Sequence, residues 1–392
     1  MDIGQLDAAT REVLQRYGFD GTAFDALRAR VARGELDART NRLRGLVEPP
    51  APEDVVALPR PGTPEHDALR AEGEAAIARG EVGCVVLAGG MATRFGGVVK
   101  AGVDALPGHT FFELKVRDVR GVAERSRAHP AARGATASGP APRVPVYAMT
   151  SFATDAEVAR LGAALTSEAA PVRTFVQSVM LRLTPGGEVF REDDGRASPY
   201  APGHGDLVDA LRRSGVLAEF RAAGGRTLVM SNVDNLGATL DAAIVGAHLR
   251  AREGARPSAI TAEVTSKEPG EKGGAPARVD GKPQIVEAFR FPEGFDQDAI
   301  PVFNTNTLMI DAAAIDRDFD LTWFVVEKKV DGRPCLQLER LVGELTAFLP
   351  CAFVAVPRYG VDGRFQPAKD PEELARRRPD LEAILRARGV LG

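Results

Sequence analysis

CVVLAGGMATRFGGVVKA, residues 84–101, is the stretch from which the rest of the chain can be placed. A short apolar run stops at Gly89-Gly90 and is followed by small residues, Arg94, two more glycines and Lys100. Such a run, broken at once by glycine, reads as a buried strand feeding a loop. After a parallel strand, a loop of this kind can set consecutive backbone N–H groups against phosphate oxygens, because glycine has no Cβ to block the approach. Arg94 and Lys100 add the charge that neutral amides lack. The spacing fits neither GxxxxGK[ST] nor GxGxxG, which argues against P-loop NTPases and dinucleotide binders. Taken alone, the loop is also compatible with a tight structural turn, the less favoured reading.

Working outward, short apolar strands alternate with helices from Glu81 onward. Strands are expected at Gly83–Ala88, Val144–Thr150, Thr227–Ser231 and Ile260–Thr265, with helices at Asp155–Leu165 and Ala238–Arg252. This alternation predicts an α/β fold with a mostly parallel sheet covered on both faces. Asp280-Gly281 marks a hairpin within 278–286. Residues 128–143, rich in Ala, Gly and Pro, are expected to form an exposed loop. Before the core, residues 1–47 read as helices, with Leu6, Val13, Leu14 and Tyr17 on one face and Phe24, Leu27 and Val31 on another. A proline-rich link, EPPAPEDVVALPRPGTPEH, follows. The expected division is a helical segment and link over 1–80, a core over 81–348 and a C-terminal segment over 349–392. No internal repeat is evident.

Composition narrows the function classes. The 50 basic and 54 acidic residues nearly balance, so no nucleic-acid-binding surface is expected. Three widely spaced cysteines without a CxxC pair offer neither a disulfide framework nor a zinc site. The N-terminus lacks the apolar core of a signal peptide, and no apolar run reaches the roughly 20 residues that span a bilayer. A cytoplasmic protein that does not bind membranes is expected.

Seven motifs in order give the chain a family resemblance. Residues 87–100 follow the loop L-x-G-G-x-x-T-x-x-G-x-x-x-P-K, with Ala92 in place of Gly and Val99 in place of Pro. MTSFATD (149–155), FVQS (175–178), YAPGHGD (200–206), SNVDNLGATLD (231–241), FNTNTLMID (303–311) and RFQPAKD (364–370) complete the set. In these the sequence resembles the UDP-sugar pyrophosphorylase family, and within it the UTP–glucose-1-phosphate uridylyltransferases. The stretch LQLERLVGELTAF (336–348) is also similar and is expected to pack as a helix. The resemblance implies a Rossmann-like three-layer α/β/α nucleotidyltransferase core.

It also implies a site. Ala88, Gly89, Gly90, Met91 and Ala92 would cradle the nucleotide, and Gln177 with Gly203 would select uracil; an amide can both donate and accept, as reading a base edge requires. Asp234 falls just beyond a strand's carboxyl end, where α/β sheets bind ligands. Its carboxylate suits Mg²⁺, which prefers oxygen and shares it with substrate phosphates. The plainer reading is a helix cap, a role open to Asn232 and Asn235 too. Lys100, Arg94 and Lys369 would form a cationic clamp, and His204, Asn232, Asn304 and Asn306 would orient the sugar phosphate. Glu287 resembles, more loosely, an acid beside the sugar. The segment RYGVDGRFQPAKD, with Gly360, Gly363 and Pro367, is expected to be a mobile loop that closes Lys369 over bound UTP.

The reaction implied joins UTP and glucose 1-phosphate into UDP-glucose and pyrophosphate. The alternatives are a pyrophosphorylase for another sugar, such as N-acetylhexosamine or galactose 1-phosphate, or a silent UDP-sugar-binding regulator. A GT-A glycosyltransferase is disfavoured because DQD at 296–298 follows no predicted strand. About 23 residues follow Lys369 and read as one charged helix, without the C-terminal β-helix that assembles related eukaryotic enzymes. A monomer or weak dimer is therefore expected.

Overall fold

Eight strands build the central sheet: β1 (Val55–Ala57), β2 (Val82–Leu87), β3 (Val146–Thr150), β4 (Val172–Val176), β5 (Thr227–Asn232), β6 (Ile260–Ser266), β7 (Val302–Asp311) and β8 (Cys351–Ala355). Their spatial order is β1-β8-β6-β7-β5-β2-β3-β4. These strands come from a computed structural model that describes residues 3–135, 142–268, 270–271 and 273–392. All pairings are parallel except those of β7, which runs against both β5 and β6. The sequence-based strand boundaries lie within two residues of those observed, and the Asp155–Leu165 helix is found as expected.

The strand β2 shows why the sheet is covered on both faces. Val82, Cys84 and Val86 join one apolar cluster with helices Pro64–Ala78, Phe111–Ser126 and Pro371–Ala387, while Val85 joins a second with helices Leu207–Arg213 and Val216–Ala222. Alternate side chains point to opposite faces, so a strand apolar at every position needs a layer on each side. The three-layer α/β/α fold follows.

Three expectations change. The proline-rich stretch contains β1, which pairs in parallel with β8 as the outer strand; the sheet therefore draws strands from both 1–80 and 349–392. Residues 336–348 are not one helix: Arg333–Glu339 is a strand paired with Phe324–Val330, followed by a 3-10 turn and a four-residue helix, Leu345–Phe348. Within 128–143, Pro130–Ala135 is a short helix, and 136–141 lie outside the described residues. The Asp280-Gly281 turn holds, with φ of 49° and 79°, and joins Ala275–Val279 to Lys282–Val286.

The N-terminal helices, Ala8–Arg16 and Gly21–Ala32, start at Asp7 and Asp20, whose carboxylates accept backbone N–H groups of the first turn. Leu14, Phe24, Leu27 and Val31 bury against Met180, Leu183, Tyr200 and Leu338. Burying one such side chain contributes roughly 1.5–3 kcal/mol, enough to fix this segment over the 179–200 region.

Candidate active site

The parallel strands deliver their carboxyl ends to one rim. Leu87, the last residue of β2, lies beside Asn232, the last of β5, and Thr150 of β3 lies beside Val176 of β4. The residues that follow these ends, 88–100, 151, 177 and 233–238, surround the crevice where open α/β sheets take ligands.

On one side sits an amide with an unanswered atom. Gln177 is 5% exposed, and its Oε1 is buried with no hydrogen-bond partner among the described residues. Leaving such an acceptor unpaired costs about 1–3 kcal/mol, which a ligand's N–H would recover. The side chain packs close to Gly89: a Cβ there would come 2.2 Å from Gln177 Nε2. Gly89 is itself held by Ser151, whose hydroxyl donates to its carbonyl at 2.8 Å. Ala88 offers a ligand little, since it is buried and its N–H donates to Met149 O.

Behind Gln177, Asp206 accepts the Ser178 N–H at 2.6 Å and a bond from Arg340 Nη2 at 2.5 Å. The Arg340 guanidinium lies 4.6 Å over the Trp323 ring. Gly203, with φ of 88°, is required by packing as much as by any ligand, because a Cβ would meet Arg340 O at 2.6 Å.

The glycine-rich loop folds back on itself. Met91–Ala92 pairs antiparallel with Val98–Val99, and Gly96 and Gly97 turn the chain at φ of 85° and 78°. Val99, where the resemblance expects proline, is a ladder residue opposite Met91. The fold-back returns Lys100 to the root of the loop, where its N–H approaches Gly90 O at 3.4 Å and its Nζ donates to Asp234 Oδ2 at 2.5 Å. Gly90 has open space where a Cβ would be. Arg94 is exposed and makes no ion pair among the described residues.

Across from this pair, the reversed strand β7 forms the other wall of the crevice. Its register against β6 shifts between Ala262 and Val264, a bulge that sets Asn306 at φ of 57°. Positive φ is uncommon for a residue with a side chain and marks a position held by its surroundings. Asn306 donates to Asn232 Oδ1 at 2.9 Å, and its N–H to Asn304 Oδ1 at 3.0 Å. Asn304 N–H donates to Gly274 O, and a Cβ on Gly274 would come 2.9 Å from Glu287 Oε1. Burial raises the Glu287 carboxyl above its ordinary range, with Arg290 opposing.

His204 Nδ1 accepts the Val342 N–H at 3.1 Å, which places the proton of a neutral ring on Nε2. Burial pushes this imidazole down to about 4. The site thus has a neutral donor at His204.

Lys369 is exposed, with its N–H bonded to Glu373. The expected mobile loop is, over 363–368, a buried strap. Arg364 is 2% exposed and its guanidinium holds Glu263 at 2.8 and 2.7 Å. Asn235 bonds both Arg364 O and Gln366 N, and bridges Pro367. Lys369 is therefore carried on a fixed base beside the Asp234 loop. Asp234, Lys100, Gln177, Gly89, Asn232, Asn304 and Asn306 are connected through direct contacts or adjacent strand ends. A cavity of about 650 Å³, lined by Arg60, Arg125 and Asp118 among others, contains none of them.

With this geometry in view, comparison with known proteins is decisive. The sequence profile of the UTP–glucose-1-phosphate uridylyltransferases matches residues 48–382. The chain belongs to that family. A uridylyltransferase of Dictyostelium discoideum is 29% identical over 308 residues, covering 74% of this chain and 56% of its own. The chain thus spans about half the length of that relative. Among solved structures, UDP-glucose pyrophosphorylase from Leishmania major superposes with a TM-score of 0.70 at 23% identity, over 94% of this chain and 79% of its own. UDP-N-acetylglucosamine pyrophosphorylase from Trypanosoma brucei gives 0.71 at 22%, over 88% and 74%. Both likenesses establish the fold that this uridylyltransferase family member shares with them.

Sequence reasoning missed the charged residues that hold this family member's site from beneath: Lys115, Asp118, Asp206, Arg340 and Arg364. Lys115 and Asp118 share a helical stripe with Phe111, Leu114 and Val122, and charges on such an apolar stripe were the available signal.

Proposed function

We propose that the chain transfers the uridylyl group of UTP to glucose 1-phosphate, releasing pyrophosphate. The observation that carries this reading is the Lys100–Asp234 pair beyond the ends of β2 and β5, on the loop whose root, Gly89, packs against Gln177 with its unpaired Oε1. A base-reading amide beside a paired cation and carboxylate is an arrangement suited to a nucleoside triphosphate.

A sugar phosphate is already an anion, so its attack on the α-phosphorus needs no strong base. The chain must instead align two polyanions and offset the charge between them. Without ligand, Lys100 and Asp234 neutralise each other at 2.5 Å. Bound phosphates would draw Lys100 away and free the Asp234 carboxylate. Among the described residues no three His, Cys, Asp or Glu side chains group as a metal cage. One carboxylate plus substrate phosphates is nevertheless a donor set that suits Mg²⁺. Asp234 would hold that ion, which supplies further neutralisation of phosphate charge. Gln177 pairs with the uracil edge over Gly89. The exposed side chains of Arg94 and Lys369 approach the phosphates from the two arms, and His204 Nε2, Asn304, Asn306 and Glu287 face the sugar.

The test is pyrophosphate release with UTP and a panel of sugar 1-phosphates. Glucose 1-phosphate should give the highest kcat/KM. A higher value with an N-acetylhexosamine 1-phosphate would reassign the sugar, and no release with any sugar would reject the transferase reading.

A further inference from the structure

Asp234 stands on the segment 231–238, which runs from the last two residues of β5 into the loop before helix Ala242–Glu253. Lys115, on helix Phe111–Ser126, crosses the neck of that loop. Its Nζ donates to Ser231 Oγ at 3.0 Å and to Ala238 O at 2.7 Å, one anchor on each side of Asp234. Lys115 is only 4% exposed. Just beyond the neck, Asp118 Oδ2 accepts the Leu240 N–H at 2.7 Å and Arg364 Nη2 donates to Thr239 O at 2.9 Å.

Burying an ammonium is costly unless its hydrogen bonds are met. Burial pushes Lys115 down to about 8 and its helix neighbour Asp118 up to about 6. The charged and titratable groups around Lys115 are Asp118 on its own helix, Arg364 from the strap, Cys84 from β2 and Asp234 from the loop. Phe111 and Val119, four positions either side, are apolar and buried. An apolar residue at 115 would satisfy the core equally well, so packing gives no reason for a lysine. Its two bonds do.

We propose that Lys115 is a positioning residue for the transfer reaction, clamping the neck of the 231–238 loop so that Asp234 is aimed at the phosphates. The proposal rests on the role given above to Asp234. It explains how that carboxylate, bonded among the described residues only to Lys100, can be aimed. Misplacing a reacting group's partner by about 1 Å can cost on the order of 10²-fold in rate.

The experiment is steady-state kinetics and thermal unfolding of the full chain carrying Lys115→Met, Ser231→Ala and Asp234→Asn, singly and with Lys115→Met combined with Asp234→Asn. Lys115→Met should lower kcat by about 10- to 100-fold while KM for UTP stays within about threefold. Ser231→Ala, which removes one anchor without stranding a charge, should give a smaller loss and decides the matter if Lys115→Met does not fold. In the Asp234→Asn background, Lys115→Met should change the residual rate little, because its action passes through Asp234. Wild-type kcat in both Lys115→Met and Ser231→Ala, with Asp234→Asn inactive, overturns the clamp alone. So does an equal loss from Lys115→Met in both backgrounds. Full activity in Asp234→Asn overturns the role of Asp234 and the clamp together.

Discussion

Two lysine-bearing arms flank the loop of Asp234 and Asn235, and they are anchored in opposite ways. The first, residues 89–100, is a small hairpin with Met91 40% and Val98 48% exposed, tied down at its ends by Ser151 and Asp234. The second, residues 363–369, buries Arg364 against Glu263 and threads Gln366 and Pro367 past Asn235. Both arms are rich in turn-forming residues. Only the second buries its ion pair completely: Arg364 and Glu263 are 2% and 0% exposed, against 16% and 17% for Lys100 and Asp234, and that burial, not glycine or proline content, separates strap from loop. The freedom to move therefore resides in the first arm.

The strongest challenge to this contrast is made where the arms meet. Asp234→Ala should lower turnover by at least about 10²- to 10³-fold, the scale of losing a main charge-stabilising group. Melting should hardly change, and near-normal pyrophosphate release at saturating Mg²⁺ would show that neither arm serves this residue. Next, the arms should fail differently. Arg364→Met should cost about 3–5 kcal/mol of stability by stranding Glu263 in the interior, readable in denaturant unfolding. Lys100→Met should leave stability nearly unchanged and lower kcat by about 10²-fold. Matching stability losses in the two variants would erase the distinction.

At the root of the first arm, Gly89→Ala would force Gln177 aside, since the added Cβ falls 2.2 Å from its Nε2. Preference for UTP over CTP, measured as a kcat/KM ratio, should drop by about tenfold or more, as should that of Gln177→Ala. Hydrogen exchange sharpens the comparison further: amides 91–98 should exchange well before those of 364–368, and UTP with Mg²⁺ should slow the first set. The smallest effect is expected at His204. Its imidazole stays neutral down to about 4, so kcat/KM should show no His204 limb near the ordinary pKa of about 6.5. A limb there that disappears in His204→Gln would contradict the half-buried, neutral donor.

Much of this was legible in the chain. The apolar run into Gly89-Gly90 placed β2 and the glycine-rich loop after it, and Asp234 fell at a strand end because an apolar strand precedes it. The misreadings share a cause. Strand β1 is three residues long on the outer edge, with Val56 59% exposed, too short to show a period among prolines. Residues 333–339 carry Leu336 and Leu338 on one face of a strand, a spacing that a helical reading absorbed into the Leu345–Phe348 helix. Arg364, Lys115 and Asp206 look like surface residues by type, and only tertiary partners reveal that they are interior. Gln177 was identifiable from its motif, but its orphaned oxygen was not.

The reversed strand β7 has a consequence for how the family member can vary in length. Running against its neighbours, it presents its opening residues to the rim where the others present their closing ones. Extra residues past Asp311, or before Val302, would lengthen connections and leave the wall as it is. An insertion or deletion between Asn304 and Leu308 would be different in kind. The bulge would be lost or doubled, and side chains beyond it would exchange faces, because the strand alternates every second residue. Asn304, Asn306 and the buried Leu308 are thus tied to a fixed count of residues, in a protein whose outer connections are free to grow.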